Sequence, residues 1–290
     1  MSNYIMDHVK LFQNDEISIK SIVVKGNKVD SIHNSVNQLR MMKQNLDNFI
    51  MSPITTTVFN ELNLPAKLSL YEQHVLKGIG VILIPVTIAY EYRLTSRLEE
   101  IRKLMKVSPL DYLLAIKVSQ KIVSPKLMQR CKKERIPAVF VEITDLDELT
   151  QLPWSWIRQY SFPFNPTFIP IFRLETAIEK AKEIWSKIMI DAKLSHSKEP
   201  LIEGAPIANQ TLKKIGLYPI KGYLRNNGEL SYNLFHSSHI ASDFNGISEG
   251  EYDKLIVTML KGKVVRAGTR ISLSETEGSE IKIKIPGFLI

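Results

Sequence analysis

Lys117 and Glu142 are the residues of this chain best suited to acid–base chemistry. A carboxylate beside a lysine can take a proton from a substrate and return it. Both fall near the ends of apolar runs, DYLLAIKVS (111–119) and AVFVEIT (138–144), that read as neighbouring strands of a parallel sheet. The commoner role of such a pair is a structural ion pair in a half-buried site, and the residues favour that reading. The six histidines are His8, His33, His74, His196, His236 and His239. His236 and His239 are three apart, which suits a solvated pair better than a metal site. Cys131 is the only cysteine, so an intrachain disulfide and a cysteine metal cage are both excluded. It follows Leu127 by four residues and reads as a small apolar side chain on a helix. Dinucleotide, P-loop and nucleophile-elbow glycine motifs are all absent.

The elements that must position these residues alternate through the middle of the chain. FIMSPITTTVF (49–59) is continuous and β-branched, as a fully buried strand would be. VILIPVT (81–87), 111–119 and 138–144 follow as strands, and TFIPIF (167–172) is a fifth despite Pro170. Between them, Ser69 with Glu72 and Ser96 with Glu99 form capping boxes. Ser124-Pro125 sets an N-cap before a proline at the first helical position. Ala177, Ala181, Ile184, Trp185 and Ile188 share one face of a helix over 174–190. This order predicts a parallel α/β layer with right-handed crossovers. DAKLSHSKEP (191–200) reads as a linker or a shortened connection, and 208–216 as a short helix ending at Gly216.

The ends of the chain are different. ISIKSIVVKGNKVDSI (17–32) turns at Lys25-Gly26-Asn27, and LIVTMLKGKVVRAG (255–268) turns at Lys261-Gly262-Lys263. Each is a hairpin in which glycine supplies the left-handed backbone of a tight turn. Two such hairpins from opposite termini predict a small sheet domain closed by both ends of the chain.

These stretches resemble the amidohydrolase superfamily of dihydroorotase, hydantoinase and deacetylase types. The hairpin at 17–32 is similar to the family's opening strands. GLYPIKG (216–222) and NGISEGEYDKLIVTMLKGKVVRAG (245–268) resemble its ending, and LYEQHVLKGIGVILIPVTI (70–88) looks like its early βα units. The resemblance implies an α/β chain with a partial or distorted TIM-barrel-like βα layer over 49–216. It also implies a composite β-sandwich built from 1–48 and 217–290. The family carries His-x-His on its first barrel strand and binds a divalent metal. Here that position reads SPITTTV (52–58), and only four or five βα units are found where the family has eight. No metal and no other cofactor is therefore expected, and the role expected is binding or structural rather than enzymatic.

In barrel folds ligands meet the C-terminal ends of the strands. Thr87, Ser119, Asp145 and Arg173 are the ligand-binding candidates there, with Lys117 and Glu142 as the catalytic ones for a metal-independent hydrolase. WSW (154–156) and YSFPF (160–164) are suited to stacking a base or sugar but are expected instead to pack over an open barrel edge; the other way to cover that edge is a homodimer. A small-molecule or protein partner also stays open.

The formal net charge is +8, and residues 102–135 hold ten Lys or Arg against Asp111 and Glu134, which is the whole excess. Such a run is usually a solvated helical face, with weak polyanion binding as the alternative. No apolar run reaches the roughly 18 residues of a membrane span, and MSNYIMDHVKLF lacks the features of a secretory signal, so no membrane insertion and a cytoplasmic location are expected.

Overall fold

A computed structural model describes residues 3–36, 39–174, 178–237, 254–274 and 276–287. Ala177, His239 and the NGISEGEY stretch (245–252) lie outside the described residues. The chain divides into two compact units. One holds Met1–Thr56, Ala66–Val81 and Pro219–Glu277; the other holds Thr57–Pro65, Ile82–Tyr218 and Gly278–Ile290. These margins differ from those read in the sequence. The last stretch joins the second unit because Tyr112 exchanges backbone hydrogen bonds with Ser279 (3.0 Å) and Ile281 (2.8 Å).

In the first unit, β1 (Asn3–Gln13), β2 (Glu16–Lys25) and β3 (Lys28–His33) form an antiparallel meander. β4 (Met42–Asn45) and β5 (Phe49–Pro53) both lie parallel to β1. One strand can take both neighbours because the β1–β2 register shifts between Met6 and Val9, where His8 has φ +55°. A bulge bends a strand and strengthens its twist. β4 pairs with β1 before that bulge, and β5 pairs with it after.

The remaining strands of this sheet come from the other end of the chain. They are β11 (Gly228–Glu229), β12 (Tyr232–His236), β13 (Leu255–Leu260), β14 (Lys263–Ala267) and β15 (Arg270–Ile271). Among the described residues the order is β11-β3-β2-β1-β5-β12-β13-β14-β15, with β4 paired to β1 off this path, in one mostly antiparallel sheet built from both ends of the chain. Both terminal hairpins belong to it. Lys261 (φ +52°) and Gly262 (φ +78°) form the two-residue turn between β13 and β14, the mirror-image geometry that matches strand twist. Met6, Val9, Ile22, Val24 and Met51 join Leu230 and Tyr232 in the main apolar core.

Residues 49–59 are two strands, not one. β5 pairs with β12 up to Pro53, where a proline can offer no further ladder donor. After Ile54, β6 (Thr55–Val58) enters a second, parallel sheet. There β6 is followed by β7 (Ile79–Thr87), β8 (Asp111–Ser119), β9 (Ala138–Ile143) and β10 (Thr167–Phe172), neighbours in chain order as in a curled half-barrel. β7 is buried from Ile79 to Val86, which explains its unbroken apolar sequence. Pro170 is tolerated because β10 is an edge strand.

The crossover helices are α1 (Leu68–Leu76), α2 (Leu94–Leu104), α3 (Pro125–Glu134), α4 (Leu146–Gln151) and α5 (Trp154–Ser161). α6 (Ile178–Asp191) follows β10 and buries Ala181, Trp185 and Met189, and α7 (Asn209–Ile215) ends at left-handed Gly216. Ser124 Oγ accepts from Leu127 N–H at 3.1 Å, as its position before Pro125 predicts. The two capping boxes do not form. α1 starts after Lys67 and α2 after Arg93, so Ser69 and Ser96 sit inside the first turn, and Ser96 Oγ donates to Arg93 O. Cys131 is fully buried on α3, and burial pushes its thiol pKa up.

The open edges of the parallel sheet are covered from within the chain. The 146–166 stretch, expected to cover one of them, supplies α4 and α5 to the helical layer instead: α5 packs on α3, and α4 on α6. A strap over 195–206 takes both edges. Phe168 of β10 donates to Ser195 O and accepts from Ser197 N–H, each at 2.8 Å. Further on, Thr57 and Val58 of β6 bridge to Pro206 and Glu203, and Thr57 Oγ1 donates to Ala205 O at 2.7 Å. The polar stretch 191–200 is therefore part strap, not a linker.

Candidate functional site at the strand ends

The C-terminal ends of β7 to β10 bring the sequence candidates close together but divide them into separate local roles. Ile88 N–H donates to Lys117 O at 2.9 Å, setting Thr87 level with Lys117 across the β7–β8 boundary. Along β8 and β9, Lys117 pairs with Phe140 and Ser119 with Glu142. Lys117 and Glu142 are thus on one face but one register step apart. Glu142 turns the other way, towards Arg173 just beyond β10, with Oε1 to Nη2 at 3.4 Å. The arginine is exposed and the glutamate half-buried, the geometry of a surface ion pair worth about 0–1 kcal/mol.

Two other candidates act as caps. Ser119 Oγ accepts from Lys121 N–H at 3.4 Å, opening a single helical turn. Asp145 Oδ1 accepts from Asp147 N–H (2.8 Å) and Glu148 N–H (3.0 Å), the arrangement that starts α4.

Two further polar residues, Glu61 and Gln120, stand at these strand ends. Glu61 follows β6 in a single helical turn, and its side chain is 6% exposed. Its Oε1 accepts Thr87 N–H at 2.8 Å, and its Oε2 lies 3.3 Å from Arg97 Nη2. Gln120 is fully buried: its Oε1 accepts from Thr144 N–H (2.9 Å), and its Nε2 donates to Asp145 O (2.9 Å). Both tie neighbouring strand ends together. Their signal was position alone, since each comes directly after a predicted strand.

A divalent ion in a barrel of this kind is held by convergent histidine and carboxylate donors with a position left open. The strand ends offer a lysine, two hydroxyls and three carboxylates, each already engaged: Glu142 by Arg173, Glu61 by Thr87 N–H and Arg97, and Asp145 by the first turn of α4. Among the described residues no group of three His, Cys, Asp or Glu is placed to hold a metal ion. The residues present do not fit one.

Four of the ten basic residues over 102–135 are answered by acids. Arg102 meets Glu134 (3.2 Å) and Glu280 (3.0 Å), and Lys121 meets Glu148 (3.4 Å). Glu91 takes Arg130 (3.0 Å) and Lys126 (3.8 Å). α2 and α3 do lie side by side, but three of these four acids come from outside the run, so the sequence count overstates the patch.

Within the strap, His196 is 9% exposed. Its Nδ1 lies 3.0 Å from Leu194 O, while Nε2 is buried with no hydrogen-bond partner among the described residues. Burial holds its pKa below the ordinary value, and the charges of Lys214 and Lys198 push the same way. A histidine with a depressed folded pKa favours folding fully above its unfolded pKa of about 6.5, and that contribution is lost as pH falls towards the folded value. Amide exchange at Ser197 is expected to quicken, relative to the global rate, between about pH 7 and about pH 5. The His196→Phe variant should lack this acceleration; an identical pH profile in the variant would refute the assignment.

Parallel strands in chain order, helices as crossovers and a mostly antiparallel sheet built from both termini define the amidohydrolase fold. The chain shares that fold with D-hydantoinase from Bacillus sp. AR9, at TM-score 0.70 and 8% identity over 98% of this chain and 99% of the other. Dihydropyrimidinase from Brevibacillus agri gives TM-score 0.67 at 9% identity over 97% and 98% of the two chains. L-hydantoinase from Arthrobacter aurescens gives 0.58 at 11% over 97% and 100%. No protein-family model and no curated protein sequence matches the chain.

Proposed function

We propose that this chain is a non-catalytic protein on an amidohydrolase scaffold, with its metal ligands lost and a binding or structural role kept. The observation that carries the reading is the occupation of the strand ends. Glu142 faces Arg173, Asp145 and Ser119 cap helical turns, and Glu61 is engaged by Thr87 N–H and Arg97. Side chains committed in this way hold the rim of the half-barrel rather than waiting for a substrate. A metal-independent hydrolase built on Lys117 and Glu142 is disfavoured by register, since Ser119 rather than Lys117 stands opposite Glu142. Polyanion binding is disfavoured by the acids that answer Arg102, Lys121 and Arg130. Coverage of both sheet edges by the strap removes the main reason to expect a homodimer. The two units are read as a composite β domain from both chain ends and a truncated βα barrel-like domain. No described helix is long and apolar enough to cross a membrane.

Metal analysis of the native protein grown with zinc and manganese tests the reading, together with assays on a hydantoin, a dihydropyrimidine and an N-acetyl sugar. The expected result is metal well below one equivalent and no turnover that a chelator removes. One equivalent of metal with chelator-sensitive hydrolysis would overturn it.

A further inference from the structure

The unit built around the antiparallel sheet contains an open groove of about 550 Å³ on the side of β1 and β2 that carries the core, where the core residues Leu11 and Leu224 meet the exposed Glu16 and Arg225. A volume of roughly 300–1,000 Å³ is usual for small-molecule sites. Register explains how it is lined. Leu11 stands opposite Ser18 and Gln13 opposite Glu16, so these side chains share one face of the hairpin, with Lys20 on the same face of β2.

The far wall is the loop over 223–226, and it is fastened on both sides. Gln13 Oε1 accepts from Leu224 N–H (2.8 Å) and its Nε2 donates to Leu224 O (3.3 Å), while Asn226 Oδ1 accepts from Ile32 N–H (2.9 Å). The groove is thus set by hydrogen bonds before any ligand arrives, which lowers the ordering cost of binding.

Its chemistry is mixed in a specific way. Leu11, Ile32 and Leu224 give an apolar floor, Arg225 and Lys20 bring positive charge, and Glu16 brings negative charge. Among the described residues neither Arg225 nor Glu16 enters an ion pair, and Lys20 donates only to the neutral Asn34 Oδ1 at 2.7 Å. An unpaired arginine can hold a carboxylate by two parallel hydrogen bonds. We propose that this groove binds an α-amino acid with an apolar side chain. Arg225 and Lys20 take its carboxylate, Glu16 takes its ammonium group, and the side chain lies on Leu11, Ile32 and Leu224. The site is separate from the strand ends of the parallel sheet and does not depend on what they do.

Calorimetric titration of the full chain with L-leucine, 4-methylpentanoate and isoamylamine tests this. These probes carry both charges, the carboxylate alone and the amine alone. Leucine is expected to bind saturably and tightest, 4-methylpentanoate more weakly and isoamylamine weakest. Arg225→Ala should weaken leucine about tenfold or more with the unliganded melting temperature unchanged. Glu16→Gln should bring leucine down to the level of 4-methylpentanoate. Ser18→Phe, which fills the groove without touching a charge, should abolish binding of all three. The proposal fails if no probe binds saturably up to about 10 mM. It fails equally if isoamylamine or 4-methylpentanoate matches leucine, or if Arg225→Ala and Ser18→Phe both bind as the wild type does.

Discussion

Replacing Trp185 by alanine is expected to destabilise the parallel-sheet unit by about 3–5 kcal/mol, the range for removing a buried indole. Trp185 is fully buried on α6, and its ring meets Trp154 of α5 edge-on at 6.4 Å. Its Nε1–H donates to Ser197 O at 2.9 Å, so one side chain joins α6, α5 and the strap. The space left by alanine is framed by three elements held by their own hydrogen bonds, which limits collapse and keeps the cavity cost high. Trp185→Phe keeps an aromatic ring but leaves Ser197 O without its donor, at about 1–3 kcal/mol. Urea denaturation of both variants gives the ranking; alanine costing no more than phenylalanine would show that the strap and not the packing decides stability here.

Ser197→Pro should turn the covered edge of β10 into an associating one. Proline removes the N–H that donates to Phe168 O and leaves that carbonyl without its partner on the edge. An unpaired strand edge is a template for another chain. Light scattering at matched concentration should show a larger species than the wild type, at about 1–3 kcal/mol lower stability. Ser197→Ala keeps the backbone donor but loses the Oγ–H bond to Glu199 O (2.7 Å), so it should keep the wild-type mass at about 1 kcal/mol lower stability. A proline variant of unchanged mass and melting temperature would show that the strap is not what protects the edge.

Much of the architecture could be read from residue order because the relevant forces are local. Unbroken apolar runs such as 81–87 mark strands buried on both faces, and Lys261-Gly262 marks a two-residue turn. Ser124-Pro125 marks a helix start. What the sequence hid depended on contacts far along the chain. Ser69 and Ser96 carry the capping spacing, yet the helices begin a residue or more before them. The bend after Pro53 reads as one strand because no charge or glycine interrupts residues 49–59; only pairing with β12 separates the halves. The strap looked like a linker because its backbone is fastened to edges whose own residues lie up to about 150 positions away. At the strand ends the residue types were found but not their partners: Glu142 answers Arg173, a residue about 30 positions on.

The strap also sets an order of events for a growing chain. Its bridges to Thr57 and Val58 span most of the parallel-sheet unit, and contacts of such long sequence separation form late because the intervening loop must close first. During synthesis, β6 to β10 emerge before the strap; the edge of β10 stands bare until residues 195–197 follow, and that of β6 until residues 203–206 do. Nascent proteins with exposed edges are those most prone to misassembly and most dependent on chaperones. Arrest of translation shortly before Ser195 should therefore leave a chain that aggregates more on release than one arrested beyond Ile215, whose strap is complete.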